Sequence, residues 1–252
     1  MIDFTIITPV RNGATTIRDC VNSVRNQQVS QAQHIIVDGE STDETMKIIK
    51  SEYAYCTEIL SESDDGIYDA MNKGLRMARG DVIGILNSDD FYASNDVLAS
   101  VARVFAQSDV ESCYGDLVYV ERNHPGHIAR YWQSGAYSPK LFYQGWMPPH
   151  PTFFVRRSVY EKYGYFNLAL GSSADYELML RFLLKEGISV SYLPKILVYM
   201  RTGGASCNSL RLRIHANMTD RKAWRVNKLQ PRFWTMWMKP LRKLPQYVRR
   251  PK

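Results

Sequence analysis

The sequence predicts an α/β fold: a mostly parallel, Rossmann-like central sheet flanked by helices, followed by a basic, amphipathic helical C-terminal tail. Short β-rich runs alternate with helical patterns through the first hundred residues, and a polar segment follows each β-rich run. The chain has 252 residues, of which 45% are hydrophobic and 23% charged, so it can form the core of one such domain with appendages.

The first part of the chain has a strand-helix order. The predicted strands are residues 4–10, 34–39, 57–62 and 81–86. The predicted helices between them are residues 15–28, 42–53 and 68–78. In the first helix, Ile17, Val21 and Val24 recur at helical spacing. Because such crossovers join parallel strands, these strands are predicted to be parallel and covered on both faces.

Beyond residue 110 the pattern changes. The runs "SCYGDLVYV" and "HIARYWQ" predict strands joined by a turn at "RNHPGH", and residues 149–167 predict a strand and a helix. A helix over 173–187 and an extended run over 189–201 follow. The Gly/Ser-rich residues 202–209 predict a boundary between a domain of residues 1–206 and a basic, aromatic-containing helical segment of residues 207–252.

The end of the chain carries most of the positive charge. Residues 211–252 contain 13 Lys and Arg and one acidic residue, Asp220, so their net charge is +12. Because the net charge of the whole chain is +7, the preceding 210 residues have a net charge of −5. Aromatic residues are interleaved with these charges: Trp224, Phe233, Trp234, Trp237 and Tyr247. This pattern suits an anionic membrane surface, with packing on the body as the alternative. Prolines at 231, 240 and 245 predict short helices.

Cysteine usage and the N-terminus bound the location. Four cysteines without CxxC spacing favour free thiols and argue against a zinc site. The N-terminal "MIDFTIITPV" lacks a basic region before a long apolar one, and no uncharged run approaches the roughly 20 residues that span a bilayer. We therefore expect a cytoplasmic protein that is not integral to the membrane.

The ends of the predicted parallel strands are polar. They contain "TPVRN", "DGEST", "SESDDG" and "NSDD". Because the carboxyl ends of such strands meet at one edge of the sheet, these segments predict an acidic crevice that contains Asp38, Asp64, Asp65, Asp89 and Asp90. Neither a GxGxxG nor a GxxxxGK[ST] loop is present, so the phosphates of a nucleotide would need a metal ion there. An acidic crevice also disfavours nucleic acid as a partner, because it repels phosphate.

Several motifs, in this order, resemble those of family 2 glycosyltransferases with the GT-A fold: "TIITPVRN", "IIVDGESTDET", "SESDDGIYDAMNKG", "HPTFFVRRSVYEKYGYFN", "ADYELMLR" and "YMRTGGAS". The resemblance covers about residues 2–206 and is strongest to bacterial enzymes that assemble O-antigen, capsule and colanic-acid-type polysaccharides. It implies a nucleotide-diphosphate sugar donor, a divalent cation (Mg²⁺ or Mn²⁺) and inversion at the anomeric carbon. UDP is the expected nucleotide and GDP the rival.

The resemblance also implies which residues meet the donor. They are Thr8, Pro9, Arg11, Asn12, Asp38, Asp64, Asn72, Lys73, Asn87 and Ser88. Asp89 is the expected metal ligand, in a DxD-type motif whose first carboxylate is replaced by Asn87. Asp90 is either a supporting carboxylate or a helix cap. Two of these assignments have plainer alternatives, since Asp38 also suits a turn and Lys73 a solvated helix face.

On the acceptor side, the resemblance makes Asp175 the general base, with Glu177 as the rival carboxylate. Alternatively, Asp175 is a carboxylate at a helix N-terminus that is favourable only because of the helix dipole. His150 resembles a residue beside the acceptor pocket, although a His between prolines also suits a structural loop. Arg181 is expected to pair with Asp175 or with phosphate.

Three functions compete at this point. The first is an inverting glycosyltransferase that acts on a glycan or polyprenyl-linked acceptor, peripheral on the inner face of the cytoplasmic membrane. The second is a sugar-1-phosphate nucleotidyltransferase, which usually has a Gly-rich loop after its first strand, whereas "VRNGATT" has one glycine. The third is a non-catalytic nucleotide-sugar-binding scaffold, against which the pair of Asp89 and Asp175 argues. The oligomeric state stays open.

Overall fold

A computed structural model describes residues 2–29, 32–53, 58–203 and 219–251. Its strands are β1 (Phe4–Val10), β2 (Ala32–Asp38), β3 (Glu58–Ser61), β4 (Val82–Ile85), β5 (Phe91–Tyr92), β6 (Ser112–Glu121), β7 (His124–Trp132), β8 (Phe154–Arg156) and β9 (Val190–Arg201). Its α-helices are α1 (Ile17–Arg25), α2 (Thr45–Glu52), α3 (Ile67–Met77), α4 (Val97–Gln107), α5 (Pro139–Tyr143), α6 (Arg157–Tyr163), α7 (Ala174–Met179), α8 (residues 219–226), α9 (Thr235–Leu241) and α10 (Pro245–Val248).

The predicted parallel part of the sheet is confirmed. In the order β3-β2-β1-β4, each neighbouring pair is parallel, and every residue of β1 and β4 is buried. Burial on both faces explains why β4 is entirely apolar and why both threonines of β1, Thr5 and Thr8, bond to side chains of β2. Val10 at the end of β1 pairs with Asp38 at the end of β2, so the polar segments after the two strands begin side by side.

The second half makes the sheet mixed. β8 runs antiparallel between β4 and β6, β9 is parallel to β6, and β5 is antiparallel to β9. The predicted turn within "RNHPGH" is confirmed but is shorter than that run, because Glu121 pairs with His124 and only Arg122 and Asn123 connect β6 to β7. β7 pairs with β6 alone among the described strands, and an edge strand tolerates Pro125 because it needs fewer ladder hydrogen bonds.

The helix predicted over 173–187 changes its winding. A 3₁₀ segment (Leu168–Ser173) leads into α7, and a π-helical turn (Leu180–Lys185) follows it. The predicted inward residues Leu178, Phe182 and Leu183 are all buried. Asp175 therefore lies in the first turn of a short α-helix that starts at Ala174.

Part of the basic segment belongs to the core of the body. Trp224 is fully buried in the same apolar cluster as Tyr176 and Phe142, and its indole N–H donates to the Tyr176 hydroxyl at 2.9 Å. The expectation that Trp224 faces a membrane is therefore wrong, since its apolar ring and its single donor are both satisfied inside the protein. The predicted boundary at 202–209 lies outside the described residues, apart from Thr202 and Gly203.

The rest of the segment matches the prediction of short helices. α9 and α10 have seven and four residues, and Pro245 opens α10. Pro240 lies inside α9, close to its end. No helix in the described part of the chain is both long and apolar enough to cross a bilayer. Two of the four cysteines, Cys20 and Cys113, are buried free thiols, and the other two lie outside the described ranges.

Candidate active site

The loops after β1 and β2 are bonded to each other. Asn12 adopts a positive φ of 54°, its backbone N–H donates to Ser41 Oγ at 2.8 Å, and its Oδ1 accepts from the Thr42 N–H at 2.8 Å. Asp38 is fully buried and accepts from Ser61 Oγ at 2.8 Å and from the Ser41 N–H. These contacts fix the shape of the strand ends before any ligand arrives.

Glycines allow the strand ends to approach closely. A Cβ on Gly39 would lie 2.2 Å from Asp64 Oδ2, so this carboxylate lies directly against the turn that follows Asp38. Likewise, a Cβ on Gly13 would lie 3.3 Å from Ser88 Oγ, which places the loop after β1 against the loop after β4. The structure therefore brings the segments of Asp38, Asp64 and Ser88 to one edge of the sheet, as the parallel topology predicts.

Some of the predicted donor residues are already engaged within the protein. Thr8 is buried, and its Oγ1 lies 2.9 Å from His34 Nε2. Asn72 makes two bonds of 2.9 Å to the backbone N–H and C=O of Phe166. Lys73 lies 2.9 Å from Glu62 and 3.5 Å from Asp69. Their roles in donor binding stay predictions, as do those of Pro9, which is buried, and Arg11, which is exposed.

The two carboxylates of "NSDD" differ in their surroundings. Asp90 is fully buried and accepts from the Arg201 N–H at 3.3 Å, and burial together with the neighbouring Asp89 raises the pKa of Asp90 well above its ordinary value. Asp90 is not a helix cap, because α4 begins only at Val97. The Asp89 side chain is 27% exposed, and its Oδ2 accepts from Arg122 Nη2 at 2.8 Å. Asp89 is thus the accessible carboxylate.

The residues present fit a divalent cation that is shared with a ligand. No group of three or more His, Cys, Asp or Glu in the described ranges could hold a metal ion by itself. Asp89, however, offers a partly exposed carboxylate, which is 27% exposed and accepts from Arg122. Mg²⁺ is commonly bound by one or two carboxylates together with waters and phosphate oxygens. Asp89 would hold such an ion, and oxygens from outside the protein would complete its shell.

One side chain, that of His150, lies between Asp175 and Asn87 at the end of β4. Asp175 Oδ2 lies 3.6 Å from His150 Nδ1, and His150 Nε2 lies 3.4 Å from Asn87 Nδ2. Asn87 Oδ1 is buried and finds no hydrogen-bond partner among the described residues. Desolvation lowers the pKa of His150, so the ring is neutral near pH 7. The donor-side and acceptor-side candidates therefore belong to one site.

Tyr68 is a site residue that sequence reasoning missed. Burial and the adjacent Asp175 carboxylate raise the pKa of Tyr68, and its ring packs 5.3 Å from that of Phe166. The residue lies in "GIYDAMNKG", four positions before Asn72 and on the same face of α3. The spacing of four residues from Asn72, itself a predicted site residue, is the signal in the sequence that could have indicated Tyr68.

Glu177 and Arg181 serve the fold. Glu177 is buried and accepts from Arg181 Nε at 3.0 Å and from Nη2 at 3.1 Å. Arg181 also donates to the backbone carbonyls of residues 163, 164 and 165. The expected pairing of Arg181 with Asp175 or phosphate is therefore wrong. With Glu177 occupied by Arg181, Asp175 is the partly exposed carboxylate at this helix start.

The mixed sheet flanked by helices has the fold of GT-A glycosyltransferases. The family model described as glycosyl transferase family 2 matches residues 5–164, and the chain belongs to this family. A PGL/p-HBAD biosynthesis glycosyltransferase of Mycobacterium tuberculosis is 28% identical over 208 residues, which are 81% of this chain and 78% of the relative. An uncharacterized glycosyltransferase of the same species is 32% identical over 186 residues, 70% of this chain and 67% of that protein.

Solved structures share the fold. S. aureus TarS 1–349 in complex with UDP-GlcNAc has a TM-score of 0.67 at 17% identity, over 86% of this chain and 65% of that one. The chain spans only 39% of the longer TarS chain. The mannosyltransferase PcManGT of Pyrobaculum calidifontis, in complex with GDP-Man and Mn²⁺, has a TM-score of 0.65 at 15% identity, over 94% and 72% of the two chains.

Proposed function

We propose that this glycosyltransferase inverts the anomeric carbon as it moves a sugar from a nucleotide-diphosphate donor, with UDP as the first expectation, to a saccharide or lipid-linked acceptor in surface polysaccharide biosynthesis. The observation that carries the proposal is the contact chain Asn87–His150–Asp175, with steps of 3.4 and 3.6 Å. It joins the strand end that suits a diphosphate to a carboxylate that suits an acceptor hydroxyl.

The chemistry requires one base and a stabilised leaving group. Asp175 takes the proton of the acceptor hydroxyl. The hydroxyl oxygen of the acceptor attacks the anomeric carbon from the face opposite the diphosphate. The new C–O bond forms as the bond from the anomeric carbon to the phosphate oxygen breaks, and the electron pair leaves with the nucleoside diphosphate. A divalent cation held by Asp89 would neutralise charge on this leaving group.

Asp38 and Asp64 would bind the nucleobase of the donor. Both carboxylates lie at adjoining strand ends, since Asp64 packs against Gly39. A carboxylate accepts from the imide N–H that uracil and guanine both carry, so this pair alone does not separate UDP from GDP. TarS in complex with UDP-GlcNAc and PcManGT in complex with GDP-Man make both nucleotides reasonable donors to test.

The location proposed for the enzyme is the inner face of the cytoplasmic membrane. Large apolar side chains of residues 233–248 stand in solvent: Phe233 is 82% exposed, Trp237 72% and Val248 83%. Exposed basic residues lie among them, namely Arg232, Lys243, Arg249 and Arg250. Apolar groups beside cations match the headgroup region of an anionic bilayer. We refer to residues 232–250 as the interfacial patch.

The test is turnover with defined donors. UDP- and GDP-sugars would first be screened for stabilisation of the protein against heat, with and without Mn²⁺, because a ligand of the native state raises its stability. The stabilising donor would then be incubated with candidate acceptors, and the anomeric configuration of the product read by NMR. A product with retained configuration would reject inversion, and donor binding without turnover on any acceptor would favour the scaffold hypothesis.

A further inference from the structure

We infer that His150 is a positioning residue: its Nδ1–H holds the Asp175 carboxylate, while its Nε2 is anchored on Asn87 at the donor-side strand end. The inference rests on the proposed function, because it takes Asp175 as the base. It adds a physical link between the two halves of the reaction, through one imidazole ring.

The tautomer follows from the partners of the ring. Nε2 faces the Asn87 amide nitrogen at 3.4 Å, and an amide nitrogen only donates, so Nε2 must be the accepting, unprotonated nitrogen. The proton of a neutral ring then lies on Nδ1, which faces Asp175 Oδ2 at 3.6 Å. Hydrogen bonds of catalytic groups tighten when the reacting groups are in place, so this distance suits a bond that forms during turnover.

Hydrogen bonds of the surrounding turn hold the backbone of His150 in place. His150 begins a 3₁₀ turn (His150–Thr152) between two prolines, and its carbonyl accepts from the Phe153 N–H at 3.1 Å. The Thr152 hydroxyl has one proton to donate and lies 3.1 Å from the Gly115 carbonyl and 2.9 Å from the Pro149 carbonyl. The turn is thus tied to β6, and the imidazole has little freedom to leave Asp175.

The other oxygen of Asp175 is also held. Oδ1 accepts from the Tyr176 N–H at 2.7 Å, so His150 and the backbone together would fix both oxygens. The other titratable groups near this pair are Tyr68, whose hydroxyl is hydrogen-bonded to the Asp175 carboxylate, Asp220 on α8, and Asp89 on the donor side of His150. Donors around the carboxylate would hold it in one orientation toward the acceptor hydroxyl.

Two substitutions separate the two ring nitrogens. In His150→Asn the side-chain amide nitrogen lies at the position of Nδ1, whereas in His150→Gln it lies near that of Nε2. We expect His150→Gln to lower kcat by about 10- to 100-fold with the KM for the donor within about twofold, as a base loses its alignment. His150→Asn should recover at least about threefold of this loss, because it restores a donor at the position of Nδ1.

A double substitution keeps the inference testable if His150→Gln folds poorly, which its melting temperature would show. Asn87→Ala should lower kcat in the native background and have a smaller effect when His150→Asn has already removed the Nε2 contact. Equal kcat values for His150→Asn and His150→Gln would overturn the inference, as would additive effects in the double variant. Asp175→Asn with near-normal turnover would instead reject the proposed base, so the two failures are distinguishable.

Discussion

Arg122 and Asp89 form an ion pair in which Arg122 Nη2 lies 2.8 Å from Asp89 Oδ2. Arg122 comes from the two-residue turn between β6 and β7, and its Nε also donates to the Thr202 carbonyl at 3.3 Å. The accessible carboxylate of the strand end is thus neutralised by the protein's own cation. A divalent ion must compete with this guanidinium for Asp89.

The first prediction concerns this competition. Arg122→Gln should tighten Mn²⁺ binding in the absence of donor by about two- to fivefold, because a partly exposed ion pair is worth up to about 1 kcal/mol. Mn²⁺ affinity can be read by EPR or calorimetry. Arg18→Gln is the matched control, since Arg18 pairs with Glu52 at 2.7 Å on the surface. Equal Mn²⁺ affinities for the two variants would contradict the competition.

The second prediction concerns Asp89 itself. Asp89→Asn should weaken Mn²⁺-dependent binding of the nucleotide-sugar by about tenfold or more, because a hard cation loses its anionic ligand. Binding would be measured by calorimetry with and without Mn²⁺. Asp65→Asn makes the same charge change at an exposed residue after β3, which two strands separate from β4, and should leave the affinity within about twofold. Metal-dependent binding that survives in Asp89→Asn would exclude Asp89 as the ligand.

The third prediction separates the two carboxylates of α7. Asp175→Asn should lower kcat by about 100-fold or more with little change in donor affinity, as expected when a general base is lost. Glu177→Gln should instead keep turnover in the folded protein and lower the free energy of unfolding by about 3 kcal/mol, because it breaks the buried pair with Arg181. Single-turnover kinetics and urea unfolding measure the two effects. The reverse pattern would make Glu177 the base.

The fourth prediction is a pH dependence of stability that comes from His34. Burial lowers the pKa of His34 to about 4 in the folded protein, below its usual 6.5. Between these values the unfolded state binds more protons, so stability falls as the pH drops from about 6.5 to about 4, by up to about 3 kcal/mol. Urea unfolding across this range should show the loss, and His34→Gln should flatten it. A slope that His34→Gln leaves unchanged would assign it to other groups.

The fifth prediction tests the interfacial patch by substitution. Deleting residues 207–252 as a unit would remove the buried Trp224 and unfold part of the core, so the body and this segment are not separable there. Phe233→Ser with Trp237→Ser should release the protein from anionic vesicles, because both side chains are exposed and apolar. Turnover on a short soluble acceptor should persist.

A second pair of substitutions in the interfacial patch removes positive charge and keeps the apolar side chains. Arg249→Gln with Arg250→Gln should weaken vesicle binding by about 1 kcal/mol for each residue, and the effect should shrink as salt rises. Sedimentation with vesicles of neutral and anionic lipids measures both pairs of variants. If native protein ignores anionic vesicles at low salt, the patch has another partner, such as a second copy of the chain.

Local patterns in the sequence were sufficient for the parallel half of the fold. Strands β1 to β4 are short β-rich segments separated by helical segments, and such crossovers bring the carboxyl ends of the strands to one edge. This is why the meeting of the Asp38, Asp64 and Asp89 segments could be predicted without coordinates. The turn before β7 was predicted with too many residues, because Pro125 and Gly126 are typical of turns, whereas pairing with β6 places both residues in the strand.

The use of each polar or aromatic side chain was decided by the tertiary structure. Asn72 bonds Phe166, 94 positions away, and Trp224 bonds Tyr176, 48 positions away. Arg181 is drawn to buried Glu177 and three backbone carbonyls, where the sequence suggested Asp175 or phosphate. By itself the sequence determined the alternation of strands and helices in its first half, the parallel direction of these strands and their acidic ends, because all three follow from local spacing. The spatial order β3-β2-β1-β4 came from the structure. Whether a side chain is free for substrate depends on distant partners that satisfy it, and only the folded chain supplies these.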